Sequence, residues 1–104
     1  MTQTDYVRVL DTDVRYRVLF TADHGAVLNF TVQLEVVSVE RWSPVIRFDT
    51  AHGFAHCDRY QPDGTVVKHE ALPVSDFNQA LTFATRAVRS RWEELVQPFR
   101  GKTT

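Results

Sequence analysis

The sequence lacks the features that mark several common classes of protein. It has one cysteine, Cys57, which excludes an internal disulfide and a metal cage built from several cysteines. None of its apolar runs approaches the ~20 residues that a membrane span requires. Its first five residues have neither the basic start nor the apolar stretch of a signal peptide. We therefore expect a cytoplasmic protein that does not bind membranes.

A strong charge of one sign is also missing. The chain has 12 basic and 13 acidic side chains and a formal net charge of −1, which argues against a strong overall field for nucleic acid. It contains no phosphate-binding glycine loop, dinucleotide fingerprint, serine-hydrolase elbow or zinc-finger spacing. ATP hydrolysis, dinucleotide-dependent redox chemistry and serine-hydrolase chemistry have no motif support, and we expect no cofactor.

The composition that is present is that of a globular domain. Apolar residues make up 43% of the 104 residues, which predicts one domain over 1–104. The spacing at which apolar residues recur changes once along the chain, from about every 2 residues to about every 3.6 residues. We predict strands over about 4–70 and a helix over about 75–99. The fold class is α+β: an antiparallel meander of five or six strands, with one long C-terminal helix packed on one face.

Local signals predict where these elements bend and end. The alternation slips by one residue after Val36, which is typical of a β-bulge in that strand. Pro44 predicts a break between two strands. Ser75 is the predicted N-cap of the helix, and Pro98 and Gly101 are predicted to end it.

Most of the residues suited to acid–base or phosphate chemistry lie between Trp42 and Glu70. We predict a four-residue loop over 50–53, because that register leaves one face of the hairpin apolar for burial. The same register places Arg47 opposite His56. His56 is then expected to be exposed on the face away from the helix, so that its truncation costs little stability.

The next hairpin is predicted to close on a three-residue loop over 62–64, since proline, aspartate and glycine suit that turn. Asp58 then lies opposite Lys68, and His69 points towards the helix. The face away from the helix is predicted to carry Arg47, Asp49, His56, Asp58, Lys68 and Glu70, with His52 at its edge on the turn. The candidate catalytic residues are Arg47, Asp49, His52, His56, Asp58 and Lys68.

Two interpretations of this face are open. Histidine suits general acid–base catalysis because its ordinary pKa lies near neutrality, so His52 and His56 are candidate proton-transfer groups. Arg47 and Lys68 would hold a phosphate and its developing charge. The same residues equally fit a solvated sheet face with cross-strand ion pairs.

Metal binding is a further alternative. Asp49, His52, His56 and Asp58 supply two imidazoles and two carboxylates, which are donors that a metal ion accepts. His52 and His56 are four residues apart, a spacing that chelates on a helix, whereas Gly53 and the strand pattern argue against a helix here. We expect a metal-independent protein and leave open whether this cluster binds a metal ion.

The segment from Trp42 to Asp58 also carries a resemblance to a known group. Its tryptophan, its arginine–aromatic–aspartate pattern from Arg47 to Asp49, and its two histidines, His52 and His56, resemble small prokaryotic proteins similar to the TumE-like toxins of toxin–antitoxin modules. The resemblance implies a neutral cytoplasmic protein that acts with a small partner such as a cognate antitoxin. It assigns no catalytic residue.

Two function classes follow from these observations. The first is a toxin-like, metal-independent ribonuclease that uses His52, His56 and Arg47 on RNA. The second is a non-enzymatic interaction module, either a homodimer or a binder of a small regulatory protein, because an open sheet face and two edges offer docking surfaces. The clustered histidines beside basic residues favour the first class, and the near-zero net charge favours the second.

Overall fold

The computed structural model describes residues 1–74 and 76–100. Within them, six strands precede one helix: β1 (Thr2–Asp11), β2 (Val14–Asp23), β3 (Ala26–Ser38), β4 (Arg41–Asp49), β5 (His56–Tyr60), β6 (Val66–Ala71) and α1 (Phe77–Arg100). The strands form one sheet in chain order, and each neighbouring pair is antiparallel. The predicted antiparallel meander with a C-terminal helix is confirmed, with six strands.

The core lies between α1 and one face of the sheet, because both surfaces present apolar side chains at their own period. Phe48 of β4 meets Phe83 of α1 edge-on, with ring centroids 6.4 Å apart. The helix contributes a buried stripe of five residues: Ala80, Ala84, Val88, Leu95 and Val96. The strands contribute alternate residues that include Val14, Val18, Phe30, Val32, Leu34, Val36, Ile46 and Phe48.

Asp76 caps the start of α1. Its Oδ1 accepts hydrogen bonds from the backbone nitrogens of Asn78 at 2.7 Å and Gln79 at 3.2 Å, which satisfies donors that a helix start leaves unpaired. The predicted cap, Ser75, and the predicted terminator, Gly101, lie outside the described residues.

The prediction that Pro98 ends the helix is wrong. Pro98 lies inside the last turn, and the helix continues to Arg100. Proline has no N–H to donate to the carbonyl four residues earlier, and here only two helical residues follow the interrupted hydrogen bond. The guanidinium of Arg100 pairs with Asp11 at 3.3 Å and also with Asp13, which ties this last turn to the β1–β2 hairpin.

The predicted break at Pro44 and the predicted bulge after Val36 are also wrong. Pro44 lies within β4 and pairs with Glu35, whereas Ile46 pairs with Leu34, so Val45 is the additional residue of the bulge. A bulge accommodates proline because the ladder is already interrupted there.

No helix in the described part of the chain has the length and apolar character needed to cross a membrane.

Candidate functional site

Polar side chains form a row on the face of the sheet that points away from α1. Paired residues of neighbouring strands lie side by side, about 5 Å apart. The register places one row across five strands, which we call the polar row: Arg17, Gln33, Arg47, Asp58 and His69. The row brings two arginines, a carboxylate and an imidazole to one face.

The register of the β4–β5 hairpin differs from the predicted one by two residues. Arg47 lies opposite Asp58 and Asp49 lies opposite His56, so the predicted pairing of Arg47 with His56 is wrong. The loop covers six residues, 50–55, rather than four. Since the register differs by two residues, each side chain keeps its predicted face, and Arg47, Asp49, His56 and Asp58 do share the face away from the helix.

Hydrogen bonds of the loop explain the longer connection. Thr50 bonds back to β3: its nitrogen donates to Phe30 O at 3.3 Å, and its Oγ1 accepts from Phe30 N at 3.1 Å. At the other end of the loop, Ala55 O accepts from Leu72 N at 2.9 Å. The two ends of the loop therefore do not bond to each other: Thr50 bonds to β3, and Ala55 bonds to the residue that follows β6. Pairing between β4 and β5 begins only at Asp49 and His56.

The β5–β6 turn forms as predicted. Gln61 N donates to Thr65 O at 2.8 Å, which encloses the three residues 62–64. Gly64 adopts a φ of 90°, a left-handed conformation that glycine accepts without steric cost. Beyond the turn, Tyr60 pairs with Val66, as the predicted register requires.

One residue further on, a β-bulge reverses the predicted faces of β6. Arg59 pairs with Lys68, and Asp58 pairs with His69, so Val67 is the additional residue. The predictions that Lys68 faces Asp58 and that His69 points towards the helix are therefore wrong. The predicted place of Glu70 opposite His56 is wrong as well, because Glu70 pairs with Cys57. Lys68 lies on the face of α1, and His69 joins the polar row.

His56 and Asp49 form a buried pair. His56 is 2% exposed, and its Nε2 donates to Asp49 Oδ1 at 2.9 Å. The same oxygen accepts from Ala51 N at 3.2 Å, and His56 Nδ1 lies 3.4 Å from Phe54 O. The expectation that His56 is solvent-exposed is wrong, although its strand face is as predicted.

Three rings around His56 account for this burial. Their centroids lie 5.2 Å away for His52, 5.5 Å for Phe54 and 4.8 Å for His69. His52 and Phe54 come from the six-residue loop, so the same loop that lengthens the hairpin also covers the imidazole. His52 itself is exposed.

His69 and Asp58 form a second pair, in contact through Nδ1 and Oδ1. The side chain of His69 is 51% exposed and that of Asp58 is 18% exposed, so this pair is open to solvent. The donor atoms of His56, Asp58 and His69 all lie within 4.8 Å of one another, a separation from which three side chains can approach one metal ion.

Hydrogen bonds hold Arg47 in place beside these pairs. Its Nε donates to Gln33 Oε1 at 2.7 Å, and Gln33 Nε2 donates to Glu35 Oε2 at 2.6 Å. Arg15 Nε donates to Glu35 Oε1 at 2.7 Å, and its guanidinium lies 4.0 Å from the centre of the Trp42 ring. The network uses only Nε of Arg47, which leaves its terminal nitrogens available to an anion.

A shallow pocket of about 180 Å³ continues the site along the sheet. Its lining combines two arginines with polar and apolar side chains: Asp5, Arg17, Leu19, Thr31, Gln33 and Arg47. The two arginines belong to the polar row, so the pocket lies on the same face of the sheet as Asp58 and His69.

Cys57 belongs to the opposite face although it lies between His56 and Asp58. It is buried, lines the same cavity as Phe83 of α1, and pairs with Glu70. Burial and then the charge of Glu70 raise the pKa of the Cys57 thiol, which disfavours the nucleophilic thiolate. Cys57 therefore lies on the face of the sheet that α1 covers.

The structure brings together most of the predicted site residues and adds one. Arg47, Asp49, His52, His56 and Asp58 lie on or beside the polar row, whereas Lys68 does not. Their catalytic roles stay predictions. The missed residue is His69, and the signal for it was the consecutive apolar pair Val66 and Val67, which breaks the alternation of β6 just before it.

The chain belongs to the family described as a domain of unknown function, DUF7718, whose profile matches residues 1–104. Comparison with curated proteins and with solved structures found no match.

Proposed function

We propose that this chain is a toxin-like ribonuclease that cleaves RNA without a metal ion. One observation carries the proposal: His69 is half-exposed, contacts a carboxylate through Nδ1, and lies in one row with Arg47. The carboxylate of Asp58 fixes the orientation of the imidazole, as in other histidine–aspartate pairs that transfer protons. The Arg47 guanidinium would contact the phosphate beside it.

The chemistry needs two proton-transfer groups. In metal-independent RNA cleavage, the 2′-hydroxyl attacks the adjacent phosphorus, and the 5′-oxygen of the next nucleotide leaves. A base removes the hydroxyl proton, an acid protonates the leaving oxygen, and a 2′,3′-cyclic phosphate forms. His69 and His52 are exposed imidazoles that both pack against His56, and we assign them these roles.

His56 acts as a positioning residue in this scheme. Its burial separates it from substrate, and its hydrogen bond to Asp49 fixes its ring against β4. The rings of His52 and His69 both pack against that fixed ring. Arg17, in the pocket shared with Arg47, would contact a further phosphate of the same strand. A cognate antitoxin would inhibit the protein by covering the polar row.

The test is RNA cleavage by purified protein with a chelator present, together with growth on expression. We expect His69→Ala to lower cleavage by ~10²–10⁴-fold, the usual contribution of a general acid or base. Lys68→Ala is the matched control, because Lys68 neighbours His69 in sequence but lies on the face of α1. We expect it to cleave RNA and to inhibit growth as the wild type does.

Two results would contradict the proposal. One is a wild-type protein that neither cleaves RNA nor inhibits growth, and the other is a His69→Ala variant that stays as active as the wild type. A thermal melt of each variant separates a loss of catalysis from a loss of folding. Since His69 is exposed, its truncation should leave the stability within about 0.5 kcal/mol.

A group of exposed apolar residues favours the second function class, a protein-interaction module. Val7, Val9 and Leu19 are exposed on β1 and β2, on the face away from α1, and Val9 is 74% exposed. Apolar side chains on a sheet face beside an edge strand suit a protein partner. This reading predicts self-association or partner binding that Val9→Lys weakens, measured by sedimentation.

A further inference from the structure

We propose that His56, Asp58 and His69 form a binding site for a divalent transition-metal ion of the zinc class. Their donor atoms lie within 4.8 Å of one another. An ion with bonds of about 2.1 Å in tetrahedral geometry places its ligands about 3.4 Å apart, so side-chain rotations alone bring the three donors to it. His69, which is half-exposed on an exposed strand, has the freedom to make this adjustment.

Two adjacent strands supply the three ligands from one face. His56 and Asp58 are two residues apart on β5, so their side chains project on the same side. His69 of β6 pairs with Asp58, and its ring centroid lies 4.8 Å from that of His56. The bulge at Val67 is what turns His69 towards the other two ligands.

Asp49 adds the support that metal-binding histidines commonly have. A carboxylate that accepts a hydrogen bond from one ring nitrogen orients the imidazole and leaves the other nitrogen to an ion. Asp49 Oδ1 holds His56 Nε2 at 2.9 Å and is itself fixed by Ala51 N at 3.2 Å. The contact of His56 Nδ1 with Phe54 O is long, at 3.4 Å, so an ion bound by this nitrogen replaces at most a weak hydrogen bond.

The donor set selects the class of ion. Two imidazoles and one carboxylate suit zinc and its neighbours, whereas magnesium and calcium prefer sites made of oxygen ligands. Three protein ligands also leave a fourth position for water. The carboxylates of Asp49 and Asp58 carry two negative charges, against the one positive charge of Arg47 opposite Asp58.

The site has a consequence for the proposed ribonuclease, and this part of the inference rests on that proposed function. A bound ion occupies the imidazole lone pair that His69 needs to transfer a proton. Zinc is therefore expected to inhibit RNA cleavage, and a chelator is expected to restore it.

Metal binding is measured by titrating chelator-treated protein with Zn²⁺ in a calorimeter, and with Co²⁺ by visible absorption. We expect one ion per chain. His69→Ala should weaken binding by more than about 100-fold, and Asp49→Asn, which removes only support, by ~10–100-fold. The control is His24→Asn, which removes an exposed imidazole outside the cluster and suits the left-handed φ of 51° at that position. It should bind zinc as the wild type does.

The outcomes separate the two proposals. Absence of zinc binding by the wild type, or an equal loss in His24→Asn and His69→Ala, overturns the metal site. Stoichiometric zinc binding without any RNA cleavage overturns only the ribonuclease. Zinc binding that leaves an observed cleavage unchanged overturns the inhibitory role.

Discussion

The two histidine–aspartate pairs of this protein have the same chemical groups but different surroundings. His56 and Asp49 join β4 to β5, beneath a loop whose rings exclude water. His69 and Asp58 join β5 to β6, where the imidazole is half-exposed. The comparison teaches that burial, rather than residue type, distinguishes the two pairs: one is closed to solvent and the other is open to it.

The difference follows from the position of each pair in the sheet. The first pair lies one strand further from the edge, and the loop over 50–55 folds back across it. The second pair reaches β6, which is exposed along its whole length and pairs with β5 on one side. An edge strand has no neighbour to cover its outer side, so a side chain on it keeps its contact with water.

The largest expected effect comes from breaking the buried pair. His56→Ala removes the donor to Asp49 and leaves a buried carboxylate without this partner, so we expect a loss of about 3 kcal/mol in the free energy of unfolding. His69→Ala should change it by less than about 0.5 kcal/mol. Urea unfolding of both variants measures the difference, and equal losses would show that the pairs do not differ in burial as described.

A smaller effect is expected from the loop that covers the first pair. Thr50→Val keeps the shape of the side chain but removes the acceptor for Phe30 N, a buried donor, so we expect a loss of about 1–2 kcal/mol. Thr50→Ser retains the hydroxyl and is the matched control, with a smaller loss. If Thr50→Val is as stable as the wild type and Thr50→Ser is not, the methyl group and not the hydrogen bond anchors the loop.

The smallest effect concerns the face opposite both pairs. A raised pKa lowers the fraction of thiolate at a given pH, so at about pH 8 the native Cys57 thiol should react with a disulfide reagent more slowly than the same thiol in the unfolded chain. Its rate should rise as the pH increases towards the raised pKa. Because Cys57 is the single cysteine, the signal is unambiguous. Fast reaction in the native state would contradict this arrangement, because it would show that Cys57 lies on the solvent-exposed face of β5.

Much of the fold could be predicted because local signals and burial agree. Ile46 and Phe48 alternate with Arg47 and Asp49, and that alternation assigned the faces of β4 correctly. The turn over 62–64 was also correct, since its residues suit a three-residue loop. The register of the β4–β5 hairpin was wrong because a shift by two residues leaves the faces unchanged, and burial patterns do not distinguish the two registers.

The candidate site was harder to predict because it depends on a register shift of one residue, which exchanges the two faces of a strand. The bulge at Val67 moves His69 to the face of His56 and moves Lys68 away from it. Two consecutive valines are compatible with a bulge, but they are equally compatible with a regular strand in which one apolar side chain is exposed. The burial of His56 was missed because the loop residues that cover it follow no strand period.

By itself, the sequence determined the class of the fold, the apolar stripe of the helix, and the faces of β4 and β5, because hydrophobic periodicity acts within one element. Only the tertiary structure decided which histidines meet, because register and bulges depend on hydrogen bonds between distant segments. Thr50 bonds to Phe30 and Leu72 bonds to Ala55, and these contacts place the loop over His56. The pairing of Asp58 with His69 follows from the bulge in their ladder, where one additional residue reverses the faces of β6.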